Sequence, residues 1–243
     1  MTNHEPLYER TRILVGDAGI ERLRSSHVLI AGLGGVGAFA AEALARAGVG
    51  ALTLADHDHV AASNLNRQLV ALHSTLARRK TEVMAERIAD INPHCQVTRI
   101  DEFLAAGEIE NLLISNHFDH IIDAIDSLNS KLALLETALQ RGVPIVSSMG
   151  AGGRLDPTRV RVGDIAETRI CPLAREVRQR LRRRGITAGL TVVWSDEQPR
   201  PAHPPEETGR GRPRAVNGSI SYLPSLFGLM LAGITVQRLL KTP

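Results

Sequence analysis

Short, unbroken apolar blocks recur along the first 150 residues, each followed by a turn and then a longer stretch of helical period. Residues 28–31, Val-Leu-Ile-Ala, read as a buried strand. They run into Gly32-Leu33-Gly34-Gly35-Val36-Gly37 and a helix reaching about Ala47. Gly48 and Gly50 end that helix, and residues 52–55 form a second strand. A helix over 76–91 stops at Asn92-Pro93, and strands over 96–100 and 119–123 follow. A helix over 127–140 then leads to a strand over 144–148. This alternation predicts an α/β fold with a doubly wound, Rossmann-like, mostly parallel sheet.

Beyond Gly150-Ala151-Gly152-Gly153 the pattern changes. A short strand near Val160, a basic helix over 172–184 and a strand over 191–194 are expected. Residues 197–218 are rich in Pro, Gly and charge and read as a mobile loop. Residues 223–240 are apolar but carry Ser225, Thr235, Gln237 and Arg238, so a buried terminal helix starting near Pro224 is expected rather than a membrane span. The chain thus divides into a core over 1–150 and an extension over 151–243, both within one domain.

Composition narrows the chemistry. With 43% hydrophobic but only 3% aromatic residues, the core must be built from aliphatic side chains. The formal net charge is only +3, yet Arg175, Arg178, Arg180, Arg182, Arg183 and Arg184 crowd one segment. Such a cluster suits phosphates or RNA, and equally a solvated helix face. Cys95 and Cys171 are the only cysteines and form no C-x-x-C pair, which excludes a four-thiolate zinc site and a disulfide scaffold. Met1 to Arg12 is polar and lacks the apolar stretch of a signal peptide, so a cytoplasmic protein without a membrane partner is expected.

Gly32, Gly34, Gly35 and Gly37 form a turn whose backbone N–H groups suit phosphate oxygens at a helix N-terminus. Asp56 follows at the spacing of a ribose-binding acid, with Asp58 as the second acid of the pair. On these features a dinucleotide fits as well as ATP. Arg67 offers a planar fork and Lys80 a point charge, a clamp that a triphosphate needs more than a dinucleotide does. ATP is therefore the expected nucleotide. Ser63 and Asn64 are expected to shape the loop before Arg67. Asp126 lies just past an apolar strand, where it suits Mg2+ bridging phosphates or the cap of the next helix, and Asp123 is the second choice.

Together, Gly32 to Gly37, the run from Asp56 to Gln68, Lys80 with Ile91-Asn92-Pro93, and Asp123 to Asp126 resemble the adenylating superfamily that includes ubiquitin-activating enzymes. The resemblance implies that Gly35, Asp56, Ser63, Asn64, Asn66, Arg67, Lys80, Asp126 and its neighbour Ser127 bind ATP and magnesium. It also implies a homodimer in which Arg10, from Tyr8-Glu9-Arg10-Thr11, reaches the partner's phosphates, with Arg12 as its rival. Within the superfamily, residues 41–46, 83–88 and 122–126, Met149 to Gly152 and Leu155 to Thr158 are similar to the tRNA threonylcarbamoyladenosine dehydratases.

That family's reaction would be expected here: ATP activates a threonine carboxylate beside the tRNA anticodon, and a carbamoyl nitrogen closes a ring and expels AMP. Arg10, Arg67, Lys80 and Asp126 would then be the catalytic set. Arg178, Arg182, Arg183 and Arg184, with Arg200, Arg210, Arg212 and Arg214, would contact tRNA. The alternative is an adenylyltransferase for the C-terminus of a small sulfur-carrier protein, disfavoured because such enzymes usually carry zinc cysteines. An NAD-dependent oxidoreductase and a silent tRNA-binding scaffold stand further off. Cys171 precedes Pro172-Leu173 where relatives often carry Asp, and reads as a small residue at a helix start in preference to a reactive thiol.

Overall fold

The computed structural model describes residues 5–201, 203–206 and 214–241. Its main sheet is built from β1 (His27–Ala31), β2 (Ala51–Ala55), β3 (Gln96–Ile100), β4 (His120–Asp123), β5 (Ile145–Ser148), β6 (Val160–Asp164) and β7 (Thr191–Ser195). The strand order is β3-β2-β1-β4-β5-β7-β6. Every neighbouring pair is parallel except β6 with β7. Ala31 pairs with both Ala55 and Asp123, so the central strands end level. From β1 the chain winds outward to β2 and β3, then returns to place β4 on the other side. The crevice at that reversal is where open α/β sheets bind ligands.

Both faces of the central sheet are covered, which explains why β1, β2, β4, β5 and β7 read as apolar runs, while the edge strands β3 and β6 are largely exposed. On one face, Val28, Ile30, Leu52, Leu54, Ile122 and Val146 pack against α2 (Gly37–Ala47), α3 (Lys80–Ile91) and α7 (Tyr222–Lys241). On the other, Leu29, Ala31, Ile121, Ile145 and Val192 meet α4 (Ala106–Ser115), α5 (Leu128–Gln140) and α6 (Pro172–Arg182). The alternation along each strand follows its two-residue side-chain period. Residues after 150 are woven into the same sheet through β6 and β7, while α7 lies on α2. Helix α7 is long and apolar enough to cross a membrane, but it places Leu223, Phe227, Leu231 and Leu239 in the core.

Several boundaries differ from the sequence reading. The helix expected from 76 begins at Lys80, because Ala77 has a φ of 63° and residues 77–80 pair instead with 58–60. Val60 N–H donates to Arg78 O and Lys80 N–H to Asp58 O, which fixes Lys80 as the first helical residue. The basic helix ends at Arg182, leaving Arg183 and Arg184 in the turn beyond it. The stretch expected to be a loop over 197–218 contains an antiparallel pair, β8 (His203–Glu206) and β9 (Arg214–Val216). Helix α1 (Glu9–Ser25) was not anticipated, and it is broken by a non-helical Gly16 with φ of 69°. Helix α4 was also missed.

Candidate active site

The loops leaving the carboxyl ends of β1, β2, β4 and β5 enclose a cleft of about 770 Å³. A second hollow of about 560 Å³ lies at the opposite edge, between residues 113–119 and 141–144 before β4 and β5, far from the candidate chemistry.

The glycine turn is held by close backbone packing. Gly32 has φ of 94°, and a Cβ there would meet Ala124 O at 2.6 Å. At Gly37 a Cβ would meet Gly32 O at 1.7 Å, so only glycine lets α2 start so close to β1. Gly34 and Gly35 line the cleft at the N-terminal end of α2, where backbone amides and the helix dipole favour an anion. Gly37 lies behind the turn and does not line it.

Asp56 is nearly buried and bridges two loops. Its Oδ2 accepts from Leu33 N–H in the glycine turn at 2.6 Å, and its Oδ1 from Asp58 N–H at 2.9 Å. Lys80 is 4% exposed, and its Nζ lies 2.7 Å from Asp58 Oδ2 and 3.9 Å from Asp56 Oδ1. Burial pushes the Asp58 carboxyl up, but the Lys80 ammonium, with His57 and His59, holds it below its ordinary range. A buried ammonium anchored by a half-exposed carboxylate is a cation that an entering phosphate can take over.

Arg67 lines the cleft, with Nη1 donating to Ser63 O and Asn66 Oδ1, both at 2.9 Å. Ser63 and Asn66 therefore sit behind Arg67 and orient it; neither lines the cleft. Asn66 Nδ2 also donates to Ser219 O at 3.0 Å. Asn64 lines the cleft and accepts from Ala61 N–H at 3.0 Å. On the far side of the glycine turn, Asp126 and Ser127 border the cleft at the start of α5. Asp126 is exposed and supplies a carboxylate oxygen of the kind magnesium takes.

Asp123 is not available for that role. It is fully buried, with Lys131 Nζ at 2.6 Å and Ser147 Oγ at 2.5 Å from Oδ2, while Oδ1 accepts from Ile125 N–H. Lys131 went unnoticed in the sequence because a lone Lys in an amphipathic helix carries no signal. Also missed was the wall formed by Ser148 to Gly152, Leu173, Asn217 and Ser219. Of this wall the sequence singles out Met149 to Gly152 by resemblance, and nothing in it points to a role in the cleft.

Arg10 is exposed on α1 and does not line the cleft of its own chain. Arg12 pairs with Asp17 at 2.7 Å. In the basic segment, Arg178 donates to Thr168 and Arg184 bonds Glu136, so both serve the fold, while Arg182 and Arg183 are exposed. Arg200 is exposed too; Arg210 and Arg212 lie outside the described residues. Cys171 is 2% exposed at the start of α6, consistent with a small packing residue. Among the described residues, one group of possible metal ligands occurs, Asp56, His57 and Asp58, at the Lys80 end of the cleft.

Fold and cleft define the class: a Rossmann-like α/β protein whose nucleotide-type crevice holds an acid, an arginine and a buried lysine. Comparison with known proteins makes it specific. The ThiF family pattern matches residues 8–243, and the chain belongs to that family. It is 40% identical over 241 residues to the tRNA threonylcarbamoyladenosine dehydratase of Bacillus subtilis (strain 168), covering 96% of this chain and 94% of that enzyme. The Escherichia coli (strain K12) protein of the same name is 44% identical over 172 residues, 71% of this chain and 64% of that one. The crystal structure of the E. coli dehydratase in complex with ATP superposes with a TM-score of 0.86 at 34% identity, covering 98% of this chain and 96% of that one. The family resemblance drawn from the motifs therefore holds.

Proposed function

We propose that this protein is an ATP-dependent dehydratase of N6-threonylcarbamoyladenosine in tRNA. The observation that carries the reading is the gathering of Asp56, Arg67, Lys80 and Asp126 around one cleft, in a chain similar to such an enzyme over 96% of its length. In this reading ATP lies across the glycine turn. Asp56 receives the ribose hydroxyls, the amides of Gly34 and Gly35 meet the phosphates, and Arg67 and Lys80 clamp them. Asp58, now on Lys80, is released as the phosphates take its place.

Asp126 with the phosphate oxygens is the fitting place for Mg2+, which when bound would offset phosphate charge. The threonine carboxylate attacks the α-phosphorus and pyrophosphate leaves. A carbamoyl nitrogen then attacks the activated carboxyl carbon, loses its proton, and AMP leaves with the carboxylate oxygen. The second step is intramolecular, so positioning supplies most of the acceleration and no enzyme nucleophile is needed. A buried Cys171 fits that absence of covalent catalysis.

Exposed Arg182 and Arg183 lie at the far end of α6 from Leu173, which borders the cleft. Nine helical residues place them about 14 Å away, a suitable reach for tRNA phosphates flanking a nucleotide in the cleft. Arg178 and Arg184 contribute by holding α6 in place. A cytoplasmic homodimer with Arg10 acting in trans completes the reading. Activation of a sulfur-carrier protein is the second choice, and the lack of any C-x-x-C pair counts against it.

The test is incubation with magnesium-ATP and tRNA carrying threonylcarbamoyladenosine, followed by mass analysis of the digested nucleosides. Loss of one water from that nucleoside, matched by AMP formation, is expected. An unchanged nucleoside, with ATP–pyrophosphate exchange driven by a small carrier protein instead, would move the assignment to the second choice.

A further inference from the structure

Arg154 is 3% exposed, yet its described hydrogen bonds all go to carbonyl oxygens and none to a carboxylate. Nη1 donates to Gly150 O at 2.6 Å and Gly152 O at 3.1 Å, and Nε donates to Glu197 O at 3.1 Å. Nη2 is buried and has no hydrogen-bond partner among the described residues. The adjacent acid, Glu197, directs its carboxylate to the amides of Leu155 and Asp156 instead. Burying a guanidinium without a counter-charge is costly, and packing alone gives no reason for it.

Its position supplies one. Gly150, Ala151 and Gly152 line the cleft at the end of β5, beyond Asp126 as seen from Asp56. The strands that carry Asp56 and this segment are three sheet positions apart, about 14 Å, which leaves the nucleotide on one side and the acyl substrate on the other. Arg154 draws the carbonyls of Gly150 and Gly152 towards itself. In a trans peptide the N–H points opposite to the C=O, so the next residue's N–H is turned away from Arg154. Gly153 N–H follows this rule and meets Gly218 O at 2.7 Å. Ala151 N–H follows it too, on the cleft wall, and has no acceptor among the described residues.

We infer that Ala151 N–H, held outward by Arg154, receives the carboxyl oxygen of the substrate as negative charge develops on it during ring closure, which makes Arg154 a positioning residue. The inference rests on the dehydratase reading. It is the geometry of an oxyanion hole built from a glycine-rich turn, with a buried cation fixing the turn from behind.

The experiment compares wild type, Arg154→Met and Arg154→Lys in full-length protein. The readouts are kcat for the dehydrated nucleoside, KM for tRNA, ATP affinity by titration, and thermal midpoint. Arg154→Met is expected to lower kcat by about tenfold or more, with ATP affinity within about twofold of wild type. Arg154→Lys should recover part of kcat, since an ammonium still holds one carbonyl. A merely structural role would lower ATP affinity and kcat together in both variants, and that result overturns the inference. So does an active wild type matched by an equally active Arg154→Met. If Arg154→Met does not fold, Arg154→Lys decides alone, by a fall in kcat at unchanged ATP affinity or by none. A wild type that dehydrates nothing would bring down the dehydratase reading itself, and this inference with it.

Discussion

At the scale of single residues, the cleft depends on two lysines that meet their charge in opposite ways. Lys80 has a half-exposed partner that it can exchange. Lys131 has none to exchange: it is fully buried, with Nζ bonded to Asp123 Oδ2 at 2.6 Å, Ser148 O at 3.0 Å and Ser147 Oγ at 3.3 Å. That ammonium joins β4, β5 and α5 directly beneath the loop that presents Asp126. Removing it leaves Asp123 buried without its cation, and breaking one side of such a pair typically costs about 3–5 kcal/mol. Lys131→Met should therefore lose stability on that scale in urea denaturation. A loss below about 1 kcal/mol would mean that the carboxylate finds another partner and the pair is not a strut. Neither Asp123 nor Lys131 could be assigned this role from sequence, because the pairing depends on Ser147 arriving from a strand that is distant in the chain.

At the scale of elements, the sequence was most informative where local pattern and tertiary demand coincide. Buried parallel strands announce themselves as apolar runs, and the glycine turn announces itself because two of its positions tolerate no Cβ. The start of α3 was illegible, since a bridge between His59 and Arg79 overrides the helical pattern before Lys80. Helix α1 was hidden for a related reason: Gly16 breaks it, and Ile13 and Leu14 point outward rather than forming an inward stripe. The ribbon of β8 and β9 was masked by its prolines, which normally argue against strands. The Gly150–Gly152 part of the wall carries no polar side chain to betray it, because its polar groups are in the backbone.

Helix α7 could be read as buried, but not what it buttresses. A Cβ at Gly228 would meet Val36 O at 2.2 Å, and one at Gly35 would meet Pro224 Cβ at 3.0 Å. The terminal helix thus presses directly on the phosphate turn. Gly228→Ala would gain helix propensity of about 1 kcal/mol yet force the two helices apart, a cost of about 1–3 kcal/mol. The expected outcome is a lower thermal midpoint together with weaker ATP binding. Stability raised by the alanine, with unchanged nucleotide affinity, would show that α7 does not support the turn.

At the scale of the whole molecule, the proposed dimer is where the site would become complete. Arg10, Ile13 and Leu14 share one face of the first part of α1, at the i, i+3 and i+4 spacing of neighbours on a helix. Ile13 is 73% exposed and Leu14 86%, an uncovered apolar pair beside an arginine that does not reach its own chain's cleft. In the proposed two-fold assembly this face would lie against the partner's cleft, so that each Arg10 meets the partner's phosphates and both sites gain the same residue. The consequence is quantitative. Arg10→Ala and Lys80→Ala should each be inactive alone. In a heterodimer of the two, one site combines both defects, while the other keeps its own Lys80 and receives an intact Arg10. Random mixing makes about half of all dimers mixed, each with one working site, so activity should return to about a quarter of wild type. Native mass measurement would establish that heterodimers form. Activity that stays at zero in their presence would mean that Arg10 does not act across the interface.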